Sequence, residues 1–159
     1  MGLNGAGKTS VLNAFNGEIC INVMPTKNFS LKSFAFKDST FNAFEVAGNV
    51  EVRKFWESFY SEHIQLIIYV IDMADFGRIE EAVQLLMAVL YDDKLTGIPL
   101  LIMLNKIDVD EAITAQDFSA FFKVDCIKDR IFNIVECSAL SKKGIFESLE
   151  WIYEITANS

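Results

Sequence analysis

Two apolar runs, Ile64–Ile71 and Ile98–Leu104, most constrain the fold. Each is short, rich in branched residues and bounded by polar or turn residues, as strands buried on both faces of a parallel sheet are. A weaker third run covers Ile131–Cys137. Helical patterns lie between and after them. Ile79–Leu90 puts Ile79, Ala82, Val83, Leu86 and Leu90 at helix spacing, and Gly144–Ile155 does the same with Ile145, Leu149, Ile152 and Tyr153. Strands alternating with helices predict an α/β fold, a mostly parallel sheet with helices on both faces. Asn28–Val46 differs. Its alternation through Phe29, Leu31, Phe34 and Phe36, then Phe41, Ala43, Phe44 and Val46, breaks at Lys37-Asp38-Ser39. That predicts a β-hairpin forming one antiparallel edge of the sheet.

A chain of 159 residues suits a single domain spanning 1–159. The formal charge of −8 argues against a nucleic-acid binder, which needs a basic stripe. It leaves open a nucleotide, which one local loop can hold. Cys20, Cys126 and Cys137 are widely spaced and odd in number, and read as reduced thiols rather than a metal set. His63 is the only histidine and reads as an ordinary helix-end residue. No apolar run is long enough to span a bilayer. Met1-Gly2 enters a glycine-rich loop directly, so no signal peptide is expected. Ala6 stands where N-myristoylation wants Ser or Thr, so Gly2 reads as a loop glycine.

Gly2-Leu3-Asn4-Gly5-Ala6-Gly7-Lys8-Thr9 fits G-x-x-x-x-G-K-[ST] completely. Glycines let several backbone N–H groups converge on one phosphate. Lys8 reaches the β- and γ-phosphates, and the Thr9 hydroxyl can hold Mg²⁺. A helix starting near Lys8 and continuing through Ser10–Phe15 adds its positive N-terminal end. Ser10 lies in its first turn.

Asn105-Lys106-Ile107-Asp108 follows the second buried run, at the carboxyl edge where ligands bind in such sheets. The Asp108 carboxylate can accept from the N1–H and 2-amino group of guanine. Adenine offers neither donor, so the site would reject it. Lys106 can lay its stem along the base, and Asn105 can tie this turn to the phosphate loop. After the third run, Cys137-Ser138-Ala139-Leu140 could bring backbone N–H groups around Ala139 to the guanine O6. The phosphate loop alone would also suit a nucleotide kinase or an ATPase, against which Asp108 speaks.

With these motifs the whole chain resembles the Arf and Arf-like branch of the Ras-superfamily GTPases. Pro25-Thr26, Phe29-Ser-Leu-Lys-Ser, Phe55-Trp56, Ile68-Tyr-Val-Ile-Asp72 and Cys137-Ser-Ala-Leu look closest to Arf-like proteins that release lipidated cargo from carriers. The resemblance implies a molecular switch that binds GTP and GDP with Mg²⁺. It implies work in vesicle, ciliary or lipidated-cargo trafficking, in the cytoplasm or peripheral to internal membranes or the cilium. Exchange factors, activating proteins and effectors would be its partners. Thr26 matches the switch I threonine that binds Mg²⁺ and senses the γ-phosphate. Gly48 matches the switch II glycine that contacts it. Lys8, Gly48 and Asn49 match the family's catalytic positions. Phe29, Phe44 and Phe59 match an effector-facing aromatic patch, although core packing would explain such residues too.

The chain departs from the pattern where D-x-G-G-Q becomes Glu45-Val46-Ala47-Gly48-Asn49. The longer Glu45 is expected to weaken Mg²⁺ binding. Asn49 is expected to fall short of the water that the family glutamine orients. Ala47 restricts a segment that rearranges, and Asn28 replaces a switch I glycine. Slow hydrolysis with GTP binding retained is the expected result. The alternative is a non-hydrolysing module that binds effectors through the switch and hairpin surface. The family's membrane-facing helix and its central first strand also have no counterpart ahead of Gly2. The strand neighbours are therefore expected to carry unpaired edges and the phosphate loop to lose an anchor, which reads as an incomplete chain or a short isoform.

Overall fold

The computed structural model describes residues 1–19 and 23–157. Cys20 lies outside them, so the reading of three reduced thiols extends only to Cys126 and Cys137, which are free. Three strands, β3 (Ile67–Asp72), β4 (Leu100–Asn105) and β5 (Phe132–Glu136), form a parallel sheet in that order. β4 is buried along its whole length, as its unbroken apolar run requires. The register sets Asp72 beside Asn105 and Leu104 beside Glu136, so the turns leaving all three strands gather at one edge.

The predicted hairpin forms as β1 (Phe29–Phe36) and β2 (Ser39–Val46), antiparallel, with Phe36 opposite Ser39. The break is thus two residues, Lys37-Asp38, and Ser39 already belongs to β2. Lys37 takes a positive φ of 54° in this turn.

Helices cover both faces. α1 (Lys8–Phe15) and α5 (Ile145–Ala157) pack Val11, Leu12, Leu149 and Ile152 against Val70, Leu101 and Met103. α3 (Ile79–Leu90) and α4 (Ala115–Phe121) cover the opposite face through Ala82, Leu86 and Phe118 against Tyr69, Ile102 and Leu104. The short helix α2 (Val50–Arg53) and a 3-10 turn at Trp56–Phe59 follow β2. His63 sits exposed in the turn before β3 rather than at a helix end.

The hairpin is a separate two-stranded sheet. Between β2 and β3 lies a cleft of about 770 Å³, lined by Phe41, Ala43, Trp56, Ile68, Val70 and Ile152 among others. Met1 enters its end. The Met1 amine donates to the Ile68 carbonyl at 2.6 Å, and the Met1 carbonyl accepts from Val70 N–H at 3.0 Å. These two bonds are one rung of a parallel ladder beside Tyr69. Burial pushes the amine down to about 5, helped by Lys8 and opposed by Glu45.

Candidate functional site

The loop Gly2–Gly7 connects that rung to α1. Gly2, Gly5 and Gly7 all take positive φ. At Gly7 this freedom is coupled to a close approach, since a Cβ there would collide with the Asn105 amide. The Asn105 Nδ2 donates to the Ala6 carbonyl at 2.9 Å, while its Oδ1 accepts from the Ala139 N–H at 3.1 Å. One buried amide therefore joins the loop, the turn after β4 and the turn after β5. The tie expected of Asn105 is present. The Ala139 N–H, expected to face a base, is used here to orient Asn105. Ser138 is fully buried, and its hydroxyl accepts from Ser141 N–H at 2.9 Å, shaping the same turn.

Lys8 folds over the loop and donates to the Leu3 carbonyl at 2.9 Å. Burial pushes its ammonium down to about 8, with Glu45 opposing and Arg53 adding to the shift. An anion held by the loop would reverse this, because a nearby negative charge favours the protonated form. Lys106 takes a positive φ of 69° and pairs with the Asp72 carboxylate at 2.6 Å. Asp108, two residues on, is exposed. Ser10 is half-buried in the first turn of α1.

A second cluster lies at the start of α1. The Thr9 hydroxyl donates to Glu45 Oε1 at 2.5 Å, and the Thr26 hydroxyl donates to the same oxygen at 3.2 Å. The two hydroxyls are 3.3 Å apart. Glu45 is 4% exposed, and its Oε2 has no hydrogen-bond partner. A buried carboxylate with one oxygen unsatisfied and the other accepting from two hydroxyls is a set of oxygens suited to a hard divalent cation. Oxygen-only donors and a phosphate-cradling loop fit Mg²⁺ and a nucleotide together.

A family model described as ADP-ribosylation factor family matches residues 1–156. The chain belongs to the ADP-ribosylation factor family. It is 31% identical over 152 residues to ADP-ribosylation factor-like protein 2 of Dictyostelium discoideum, covering 96% of this chain and 82% of that one. It is 33% identical to ADP-ribosylation factor-like protein 3 of Chlamydomonas reinhardtii, over 96% and 85% of the two chains. The fold matches the Arl6 BBS3 small GTPase of Trypanosoma brucei, solved with the bound nucleotide analogue GppNp. That match has a TM-score of 0.87 at 24% identity, and covers 99% of this chain and 95% of the other. The chain is thus an Arf-like small GTPase with the α/β fold expected, a guanine-nucleotide-binding switch whose family generally hydrolyses GTP.

Within this Arf-like frame Gly48, Asn49 and Ala47 are each packed on or bonded to neighbouring backbone. Gly48 packs directly on the backbone of Gly2, Leu3 and Asn4, where a Cβ has no room. Asn49 is the N-cap of α2. Its Oδ1 accepts from Val52 N–H at 2.9 Å, and its Nδ2 donates to the Lys27 carbonyl at 3.4 Å. Its side chain is thus committed to the backbone on both sides. Ala47 is buried, with its N–H on the Asn28 carbonyl at 2.8 Å and its carbonyl accepting from Trp56 Nε1 at 3.0 Å.

Phe29, Phe44 and Phe59 meet with ring centroids 5.1, 5.3 and 6.0 Å apart. Phe29 is 53% exposed and Phe44 43%, so these two form a surface cluster rather than plain core. Two further residues have no counterpart in the sequence expectations. Arg78 donates to the Asn4 side chain at 3.1 Å and to its carbonyl at 3.2 Å, holding the loop from a position 74 residues away. Asp72 positions Lys106. Its place at the end of a buried parallel strand was a usable signal, since such ends line the ligand edge. No local pattern marks Arg78.

Proposed function

We propose that this chain binds GTP and GDP at Gly2–Ser10, Asn105, Lys106, Asp108, Ser138 and Ala139, with Mg²⁺ held at Thr9 and Thr26. Thr26 and Gly48 respond to the γ-phosphate, and Lys8 carries charge to the phosphates. GTP hydrolysis is slow. The whole of 1–159 works as one domain, in the cytoplasm or at internal membranes or the cilium, handling vesicle or lipidated cargo. Effectors, exchange factors and activating proteins meet it at Phe29, Phe44 and Phe59. The observation that carries this reading is Asn105, whose single amide joins the loop that suits phosphate to the turn that suits guanine.

Fluorescent mant-GDP binding, with GTP and ATP as competitors, tests it. GTP should compete and ATP should not. In Asp108→Ala, two hydrogen bonds to a charged acceptor are lost, each worth about 1.5–3 kcal/mol. Affinity for GTP should therefore drop by about a hundredfold or more, with weak ATP binding unchanged. An unchanged preference for GTP would overturn the assignment of Asp108.

Slow hydrolysis rests on Asn49, whose amide caps α2 instead of reaching toward a water. Single-turnover GTP hydrolysis of Asn49→Gln should rise about tenfold or more, since the longer arm restores the family's water-orienting group. Loss of the cap costs about 1 kcal/mol, a fall of about 2–4 °C in Tm. A wild-type rate like that of ordinary Arf-like proteins with their activator would sink the idea.

The same capping bond favours a second reading, an effector-binding module that does not turn over nucleotide. It predicts partner binding equal in the GTP-loaded and nucleotide-free proteins. The switch reading predicts binding in the GTP form alone.

A further inference from the structure

We propose that Arg53 is a positioning residue through which the chain tells GTP from GDP: braced by Glu81 of α3, it holds the Gly48 carbonyl and so keeps the Gly48 N–H for the third phosphate. This rests on the nucleotide-binding reading above and adds to it a residue that sets the preference between the two nucleotides.

Gly48 lies against the phosphate loop, with no room for a Cβ beside the Gly2 carbonyl and the Asn4 nitrogen. Both peptide planes that meet at Gly48 are fixed from outside. The Ala47 carbonyl accepts from Trp56 Nε1 at 3.0 Å. That peptide is trans, so the Gly48 N–H points the opposite way. The Gly48 carbonyl accepts from Arg53 Nε at 2.6 Å. No helix bond competes for it, because the Val52 and Arg53 N–H groups both turn to the Asn49 carbonyl. The Gly48 N–H is left over, and donates to no group among the described residues. A backbone donor beside a phosphate loop, with its plane set and its bond unspent, is ready for a phosphate oxygen.

The Arg53 head is held in turn. Its Nη1 donates to Glu81 Oε1, in the first turn of α3, at 2.6 Å. The Arg53 side chain is 13% exposed and that of Glu81 40%. A pair this open on the acid's side is screened, and contributes little to stability. Its role is directional. A guanidinium is planar with donors in fixed directions, so the bond to Glu81 sets the heading of Nε. A lysine ammonium has no such fixed fork. The segment has little else to hold it, since α2 is four residues long, with the Asn49 cap at one end and Arg53 at the other. GDP has no third phosphate to meet the Gly48 N–H, so loss of Arg53 should fall on GTP alone.

Competition against mant-GDP gives the affinities of GDP and of non-hydrolysable GppNp for the full chain with Mg²⁺. Arg53→Met, uncharged and of similar length, should lose about tenfold in GppNp affinity while its GDP affinity stays as in wild type. Arg53→Lys should not rescue the loss. Glu81→Ala should move the GppNp-to-GDP ratio in the same direction. The double variant should match Arg53→Met alone, because the acid acts through the guanidinium. An ion pair that only stabilised the fold would lower both affinities alike and leave the ratio intact, which would overturn the proposal. Should Arg53→Met not fold, Glu81→Ala, altered at a half-exposed side chain, carries the same test, and an unchanged ratio there is equally decisive. Failure of the wild-type chain to bind either nucleotide would overturn the nucleotide-binding reading, and this proposal with it.

Discussion

Gly48→Ala is expected to reduce nucleotide affinity by about a hundredfold or more while the rest of the fold survives. The added Cβ would fall on the Gly2 carbonyl oxygen, the Leu3 carbonyl carbon and the Asn4 nitrogen, all well inside the 3.0 Å that real Cβ contacts respect. All three are backbone atoms, so no rotamer change relieves the overlap. The loop cannot retreat freely either. Ala6 is fastened to Asn105, Asn4 to Arg78, and Met1 to Ile68. Strain must then spread into the Gly2–Gly7 curl, whose shape aims the backbone N–H groups. Overpacking of this kind costs about 1–3 kcal/mol or more, and about 2.7 kcal/mol is a hundredfold in affinity. The control is Ala47→Gly, which removes a buried methyl one residue earlier without touching the loop. Titration of mant-GDP, with far-UV circular dichroism to follow the fold, separates the two. Tight binding by a folded Gly48→Ala protein would refute the packing role of Gly48.

What the sequence made legible is what depends on neighbours along the chain. β4 could be read from an unbroken apolar run, because a strand covered on both faces has no solvent side to mark. α3 could be read from helix spacing, and its bounds match those predicted. Gly7, Lys8 and Asn105 were visible as motif positions because their chemistry requires fixed residue types at fixed spacing. What escaped depends on distance across the fold. Glu45 was visible as a motif position, but its hydrogen bond to Thr9, 36 residues away, was not. Arg78 reaches Asn4 through a bend before α3 that no periodicity announces. Asn49 is a different kind of miss. Asn-Val-Glu-Val carries a helix N-cap signal, yet the position invites comparison with a hydrolytic glutamine. The structure shows the capping role, with the Asn49 Oδ1 accepting from Val52 N–H.

The cleft between β2 and β3 leads to the largest expected change in stability. Its walls are apolar on both sides, with Val70, Leu12 and Ile152 on one and Val46, Trp56 and Ile67 on the other. Its long sides are strand edges that, among the described residues, pair with no common strand. Met1 fixes a direction, since its rung with Ile68 and Val70 is parallel to β3. A segment of six apolar, β-branched residues fused ahead of Met1 should therefore run down the cleft as a strand. Such a strand is about 20 Å long at roughly 3.3 Å per residue. Apolar burial contributes about 1.5–3 kcal/mol per side chain, and ladder bonds on two edges add about 0.5–1.5 kcal/mol each. Backbone ordering costs about 1–2 kcal/mol per residue, which leaves a surplus of several kcal/mol. The fusion also turns the buried Met1 amine into a peptide N–H. That group donates the same bond to Ile68 without a charge to desolvate. The gain from this last change has a pH signature. The amine falls from an ordinary value near 8 to about 5 on folding, so the unfused chain loses stability as pH falls from 8 toward 5, where the unfolded chain holds more protons. The fused chain should lack that loss. Calorimetry at pH 8 should show Tm higher by about 10 °C, and the difference should widen at pH 6. A fusion with proline at alternate positions, unable to form the ladder, should lack the rise at pH 8 yet still lose less stability than the unfused chain as pH falls, because it too converts the Met1 amine to an amide. Equal midpoints for the apolar and proline fusions would mean that the cleft does not accept a strand.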